Sequence, residues 1–317
     1  MTPDHLQPAR KRTFYFVGVT TGKSSIMRVF PEWAKYLKLG DCVIEGIDCR
    51  IHDSPDTYRK VVSFLKADPL SLGALVTTHK IDLLRAARDL FDELDPYANL
   101  MGEISCISKR DGRLRGHAKD PITAGLSLEA FLPEGYWRQT GAEALVLGAG
   151  GSSIAITSYL MKPEHGDNRP SRIVVTNRSS GRLDEIRHIH EQLHSGIRCE
   201  YHHCPTPEQN DRLVNSLKPG SIVMNATGLG KDAPGSPITN AARFPRDGIA
   251  WDFNYRGELV FLDQARAQQK DRNLRIEDGW VYFIHGWTHV IAEVFNVAIS
   301  PRGPQFDELS RIAAACR

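Results

Sequence analysis

No stretch of this 317-residue chain approaches the ~20 consecutive apolar residues that span a bilayer. Charge of either sign is not in excess. Forty Lys and Arg stand against 38 Asp and Glu, a formal charge of +2, so no global field recruits nucleic acid or an anionic membrane. Cysteine is sparse and scattered: Cys42, Cys49, Cys106, Cys199, Cys204 and Cys316 form no C-x-x-C pair, which excludes a zinc knuckle or a thioredoxin-type redox pair. The N-terminal MTPDHLQPARKR carries no apolar core of a signal peptide, so a cytoplasmic setting is expected and residues 1–12 read as a disordered tail. What is present is ordinary for a globular chain: 41% hydrophobic and 25% charged residues, with length enough for two domains.

Short β-branched or aromatic runs alternate with longer stretches of helical spacing, the pattern of parallel α/β units. Thr13–Val19, Cys42–Cys49 and Leu72–Thr78 read as strands, with helices at Ser24–Leu39, Asp56–Lys66 and Ile81–Leu90. Glu103–Ser108 and Arg113–His117 read as a hairpin around Asp111-Gly112. A second series follows the helix Asp120–Leu132, with strands at Ala144–Leu147, Arg172–Thr176, Arg198–His203, Ser221–Ala226 and Ile249–Phe253. Trp280–Ala298 reads as a long last helix. The predicted boundary falls near Asp120.

The strongest local signal is Ala144–Ser153, ALVLGAGGSS, where a strand ends in Gly148-Ala149-Gly150-Gly151 and opens into a helix at Ser152. Gly148 permits a tight turn, Gly150 lets a pyrophosphate approach the backbone, and the helix start offers free N–H groups. The next strand ends Thr176-Asn177-Arg178-Ser179, with Arg182 one turn on. Two guanidiniums and a hydroxyl suit the 2′-phosphate of NADP, where an NAD site places a carboxylate. Asn225-Ala226-Thr227-Gly228 ends another strand on the same sheet edge and offers groups to ribose or nicotinamide.

Two further segments carry chemistry-bearing residues. Gly18–Ser24 imitates a phosphate-binding P-loop but has three residues between its glycines where four are required, so an NTPase reading is rejected; Ser24 or Ser25 is the expected N-cap of the helix that follows. Lys80 closes Val76-Thr77-Thr78-His79-Lys80 at a helix start, where the helix dipole disfavours an ammonium and suits the amine to proton transfer. Asp120 opens the linking helix. His202, His203 and Cys204 are metal-ligating types, yet adjacent strand residues point to opposite faces, so no metal site is expected.

Taken in order, these segments resemble the shikimate dehydrogenase family across most of residues 13–298. Val76–Lys80 is similar to its Val-Thr-x-Pro-x-Lys loop, and Gly116–Asp120 to its Gly-x-Asn-Thr-Asp. Gly148–Gly151 matches the Gly-Ala-Gly-Gly turn, Asn177–Arg182 the Asn-Arg-Thr-x-x-Arg element, and Asn225–Thr227 the Asn-Ala-Thr element; Asp252–Tyr255 and Gly279–Phe283 resemble the last two motifs. The resemblance implies a Rossmann-type doubly wound NADP-binding domain at 121–279 and a smaller α/β substrate domain at 13–120, rejoined by a C-terminal helical segment at 280–317. It implies that Lys80 and Asp120 face each other, Lys80 shuttling the proton of a ring hydroxyl and Asp120 binding an adjacent one. It also assigns Ser24, Ser25, Thr77, Ser105, Tyr255 and His285 to the substrate, and Gly148, Ala149, Gly150, Gly151, Ser152, Asn177, Arg178, Ser179, Arg182, Asn225, Ala226, Thr227, Phe253 and Gly279 to NADP.

The departures cluster among the ring-hydroxyl readers. The family's Ser-x-Ser becomes Gly22-Lys23-Ser24-Ser25, its Asn-Thr before the aspartate becomes Ala118-Lys119, and its last-helix glutamine falls at Gly286 beside His285. A pocket stripped of those partners loses several kcal/mol of discrimination, so shikimate is expected to be a poor substrate. The expected ligand is a small, carboxylated ring compound, with Lys23 and Lys119 as added cations; no nucleic-acid or membrane partner is expected, and a homodimer stays open. The alternatives are a shikimate or quinate dehydrogenase with a remodelled pocket, and a non-catalytic NADP(H) sensor.

Overall fold

In a computed structural model of the protein, residues 1–231 and 233–316 are described. The chain divides into two compact units, one of Met1–Lys119 with the segment from Ile284 onward, the other of Asp120–Phe283. They are close in size, so neither is markedly the smaller.

The first unit holds strands β1 (Arg12–Gly18), β2 (Cys42–Asp48), β3 (Ser71–Val76), β4 (Glu93–Leu94), β5 (Cys106–Arg110) and β6 (Arg113–His117), in the order β2-β1-β3-β5-β6-β4. β1 pairs in parallel with β2 and β3, whereas β5 is antiparallel to both β3 and β6. From Thr13 onward every residue of β1 is buried, as a strand covered on both faces requires. Asp111 (φ +52) and Gly112 (φ +74) make the expected two-residue hairpin turn, since both central positions of such a turn need positive φ. Phe14 packs against Phe30, Trp287 and Phe295 with ring centroids 5.5–6.1 Å apart, and Trp33 Nε1 donates to Leu309 O at 2.8 Å. These contacts bind the C-terminal segment into this unit's core. The helix Pro304–Ala315 that presents Leu309 lies within the helical segment expected at 280–317.

Two expectations are corrected here. Residues 1–12 are not a disordered tail: the Met1 amino group donates to Gly46 O at 2.7 Å and Asp48 N donates to Met1 O at 2.9 Å. The N-terminal residue thus uses polar groups that edge strand β2 would otherwise expose. Neither Ser24 nor Ser25 caps the following helix, Ile26–Tyr36; Ser25 takes helical dihedrals at the cap position and no side chain caps that end. The turn after β1 is held instead by Thr21, whose N–H and hydroxyl both donate to Asp48 Oδ1, at 2.8 and 2.6 Å.

The second unit holds β7 (Ala144–Leu147), β8 (Ile173–Asn177), β9 (Cys199–His203), β10 (Ile222–Asn225), β11 (Ile249–Asp252) and β12 (Arg275–Glu277). All neighbours pair in parallel, in the order β12-β11-β10-β7-β8-β9. Read from β9, the unit's own strands run 3-2-1-4-5-6, the doubly wound Rossmann arrangement, with its topological switch between β7 and β10. β7, β10 and β11 are buried throughout. Leu145, Val223, Ala250, Phe244 and Phe261 form one cluster on them, each of the larger side chains contributing about 1.5–3 kcal/mol by burial. The order matters for function, because ligands of such sheets sit outside the carboxyl ends of the strands at the switch point.

Candidate functional site

The chain leaves β7 at Gly148, whose φ of +104° and surroundings both demand glycine; a Cβ there would lie 2.9 Å from Ala226 O. Ser153 Oγ donates back to Gly148 O at 2.7 Å and closes the turn. Gly150 has nothing within 4 Å of where a Cβ would stand, so the turn's outer side is open. The helix Gly151–Leu160 begins there with no side-chain cap, and its first N–H groups face outward with the positive end of the helix dipole. That is a receptor for phosphate.

In front of the turn lies a cleft of about 600 Å³. Its walls include Gly148, Ala149, Gly150, Asn177, Arg178, Ser179, Arg182, Ala226 and Thr227, all predicted from the sequence. Ala149 N donates to Asn177 Oδ1 at 3.3 Å, and Asn177 Nδ2 donates to Ser179 Oγ at 3.0 Å, so the glycine turn and the end of β8 are linked. Arg178 is exposed at the rim, while Arg182 pairs with Glu185 at 2.7 Å. The open glycine turn, the uncapped helix and two guanidiniums at the end of β8 fit a dinucleotide carrying a 2′-phosphate. The far wall was missed: Cys204 to Pro207 and Asn210, facing Ala233, Ser236 and Pro237. Cys204 to Thr206 and Ala233 to Pro237 are loop residues without periodicity, and Pro207 and Asn210 belong to the helix Pro207–Asn215.

Asn225 does not line the cleft; it is buried and braces the turn that does. Its Nδ2 donates to Asp252 Oδ2 at 3.0 Å, and its Oδ1 accepts from Thr227 N and Oγ1 at 3.2 and 2.7 Å. Asp252 Oδ1 accepts from Asn254 N at 2.8 Å. Burial nevertheless pushes the Asp252 carboxyl up to about 6, against the donors from Asn254 and Asn225 that pull it down. A folded-state value above the unfolded one stabilises the fold below the unfolded value near 4, and that contribution is lost as pH rises through 6. We expect wild type to lose about 2 kcal/mol relative to Asp252→Asn between pH 4 and pH 7.5, read from urea unfolding at each pH. Equal pH profiles would remove the carboxylate from this account.

Phe253 and Gly279 also lie off the cleft wall. Phe253 stacks on Trp251 at 4.2 Å, and a Cβ on Gly279 would overlap Phe253 O, so these two residues pack the strand end closely. Tyr255 is edged by Trp280 and Phe283, 5.3 and 4.7 Å away. Asp120 opens the helix Asp120–Glu129 and is buried.

In the first unit, β3 ends at Val76 and Thr77 N donates to Val17 O at 3.0 Å. Thr78 then takes φ +61°, a left-handed conformation that costs a β-branched residue roughly 1–3 kcal/mol. His79 is fully buried, its Nδ1 3.1 Å from Tyr58 Oη, and Lys80, half-buried, starts the helix Lys80–Ala87. Ser105 is buried and its Oγ accepts from Lys119 N at 2.9 Å, so it supports the strand connection. His285 is buried and stacked on Phe306 at 4.3 Å; burial holds it neutral, down to about 3. Lys23 is exposed. Lys119 is not a free added cation, because Glu293 Oε2 lies 2.9 Å from its Nζ, the same carboxylate also pairing with Arg110 at 3.0 Å. Among the described residues no group of three His, Cys, Asp or Glu is placed to hold a metal ion, and no helix is long and apolar enough to cross a membrane.

No family model matches the chain. Among curated proteins it is 28% identical over 179 residues to the shikimate dehydrogenase (NADP(+)) of Streptococcus thermophilus, covering 56% of this chain and 58% of that protein. The chain thus spans just under three fifths of that relative. It is 25% identical over 287 residues to the shikimate dehydrogenase (NADP(+)) of Brucella ovis, covering 89% and 88%. Among solved structures, shikimate dehydrogenase from Aquifex aeolicus superposes with a TM-score of 0.72 at 18% identity, over 98% of this chain and 99% of that one, and shows the shared fold.

Proposed function

We propose, from its kinship to the shikimate dehydrogenases, that this divergent chain is an NADP-dependent oxidoreductase acting on a ring hydroxyl or ketone of a cyclic hydroxy acid. The observation that carries the reading is the cleft in front of the glycine turn, with Arg178, Ser179 and Arg182 gathered at the end of β8. Gly148 and Gly150 shape the floor for a pyrophosphate, the amides of the helix start bind it, and the two arginines take the 2′-phosphate. Asn225, held by Asp252, fixes the turn that sets Thr227 in the cleft wall. NADP(H) held in this cleft would supply or accept the hydride.

Lys80 gives or takes the proton of the reacting oxygen, and Asp120 accepts a hydrogen bond from a neighbouring hydroxyl. Tyr255 approaches the substrate carboxylate. Shikimate is not the proposed substrate. Ser105 already accepts from Lys119 N and Lys119 is held by Glu293, so two of the groups that would read a trihydroxylated acid already have partners. Absorbance at the reduced-nicotinamide band, followed with NADP⁺ and a panel of alicyclic hydroxy acids that includes shikimate and quinate, tests this. Turnover with a panel member other than shikimate supports the reading. Tight NADPH binding without turnover on any member replaces it with a non-catalytic sensor, and efficient shikimate oxidation overturns the substrate assignment.

A further inference from the structure

The end of the cleft beyond β8 has no assigned occupant among the groups discussed above. The sheet order β7-β8-β9 means that a ribose held at the end of β8 directs its base toward the end of β9. The cleft there is walled by Cys204 and Pro205 just after β9, by Pro207 at the start of the helix Pro207–Asn215, and by Pro237. These are flat or compact apolar surfaces that suit the faces of an aromatic base.

Three polar side chains stand among them: the Thr206 hydroxyl belongs to the capping box of the helix Pro207–Asn215 and Ser236 Oγ donates to Gln264 Oε1 at 2.7 Å, which leaves Asn210. Asn210 is 7% exposed and lines the same cleft. Its Nδ2 donates to Pro237 O at 2.8 Å, which fixes the orientation of the carboxamide, because a flipped amide would set oxygen against oxygen. Its Oδ1 is consequently the free end, and this oxygen is buried with no hydrogen-bond partner. A buried acceptor left unpaired carries a free-energy cost that an incoming donor removes.

We propose that Asn210 reads the base of the dinucleotide, its Oδ1 accepting a hydrogen bond from the exocyclic amine of adenine. The assignment rests on the NADP reading above and sharpens it. Adenine presents an N–H donor at that position, whereas hypoxanthine and guanine present a carbonyl oxygen, which would leave Oδ1 unpaired and facing another acceptor. The selectivity comes from this atom, because Thr206 and Ser236 at the same end already have partners and the apolar walls accept the face of any purine.

Calorimetric titration of the full chain with NADPH and with its hypoxanthine analogue, in which the amine is replaced by a carbonyl oxygen, tests the assignment without any mutation. Wild type is expected to bind NADPH about tenfold or more tightly than the analogue, and Asn210→Ala to bring the two within about twofold, mainly by weakening NADPH. Equal binding of both nucleotides by wild type overturns the assignment while leaving the cofactor reading standing. So does an Asn210→Ala variant that weakens both and keeps the tenfold ratio, which would make the residue a support for Pro237 only. Failure of wild type to bind either nucleotide sinks the cofactor reading, and this assignment with it.

Discussion

Replacing Lys80 by alanine is expected to lower kcat by 10²–10⁴-fold on whichever panel acid is turned over, with NADPH affinity unchanged within about twofold. The magnitude follows from the loss of a positioned acid–base group at the reacting oxygen. The separation of effects follows from the fold, since Lys80 starts a helix of the first unit whereas the glycine turn and both arginines belong to the second. Steady-state rates paired with a fluorescence titration of NADPH supply both readings. If kcat fell less than tenfold, Lys80 would not be the proton carrier. If NADPH affinity fell in step with kcat, the variant would have disturbed the whole molecule, and the comparison would have to be repeated with Lys80→Met, which keeps the length of the side chain.

The double variant Arg178→Ala, Arg182→Ala is expected to weaken NADPH by about a hundredfold and to leave NADH within about threefold, reversing cofactor preference. Each guanidinium contributes charge-assisted hydrogen bonds to a phosphate dianion, worth roughly 1.5–3 kcal/mol apiece when well formed. The lower part of that range applies here: Arg178 is exposed at the rim, and Arg182 already shares its charge with Glu185. Arg178→Ala alone should account for the larger share. The loss should shrink as salt rises, because contacts at a solvated rim are screened. Proportional weakening of NADPH and NADH would place the 2′-phosphate elsewhere in the cleft.

Much of this was legible in the chain before its structure. The parallel strands of the second unit announce themselves because strands buried on both faces must be largely apolar, and Ala144–Leu147 and residues 222–224 are apolar throughout. The glycine turn was legible because only glycine meets the backbone demand at Gly148. The misreadings have a common physical origin in partners distant along the chain. Lys119 looked like a free cation because its partner, Glu293, lies 174 residues away. Residues 1–12 looked disordered because polar composition cannot show that the Met1 amine and carbonyl pair with Gly46 and Asp48. Ser25 looked like a cap because serine prefers that position, yet Thr21 and Asp48 hold the turn. The cleft wall near Asn210 was missed although its helix was read, because the apolar loop residues Cys204, Pro205 and Pro237 that complete it follow no period.

The left-handed threonine at position 78 has a bearing on how the lysine loop tolerates change. Thr78 is kept off its relaxed backbone by anchors on either side, the Thr77 amide fixed to β1 and the His79 ring clasped by Tyr58. The loop is therefore taut, like a strap under tension, and its aim depends on the tie points more than on its own residues. Tyr58 sits on the helix Pro55–Ala67, 22 positions before Lys80, yet loosening its grip would slacken the strap and let the amine wander. A neutral-looking change at a buried tyrosine would thus be felt at the proposed proton carrier.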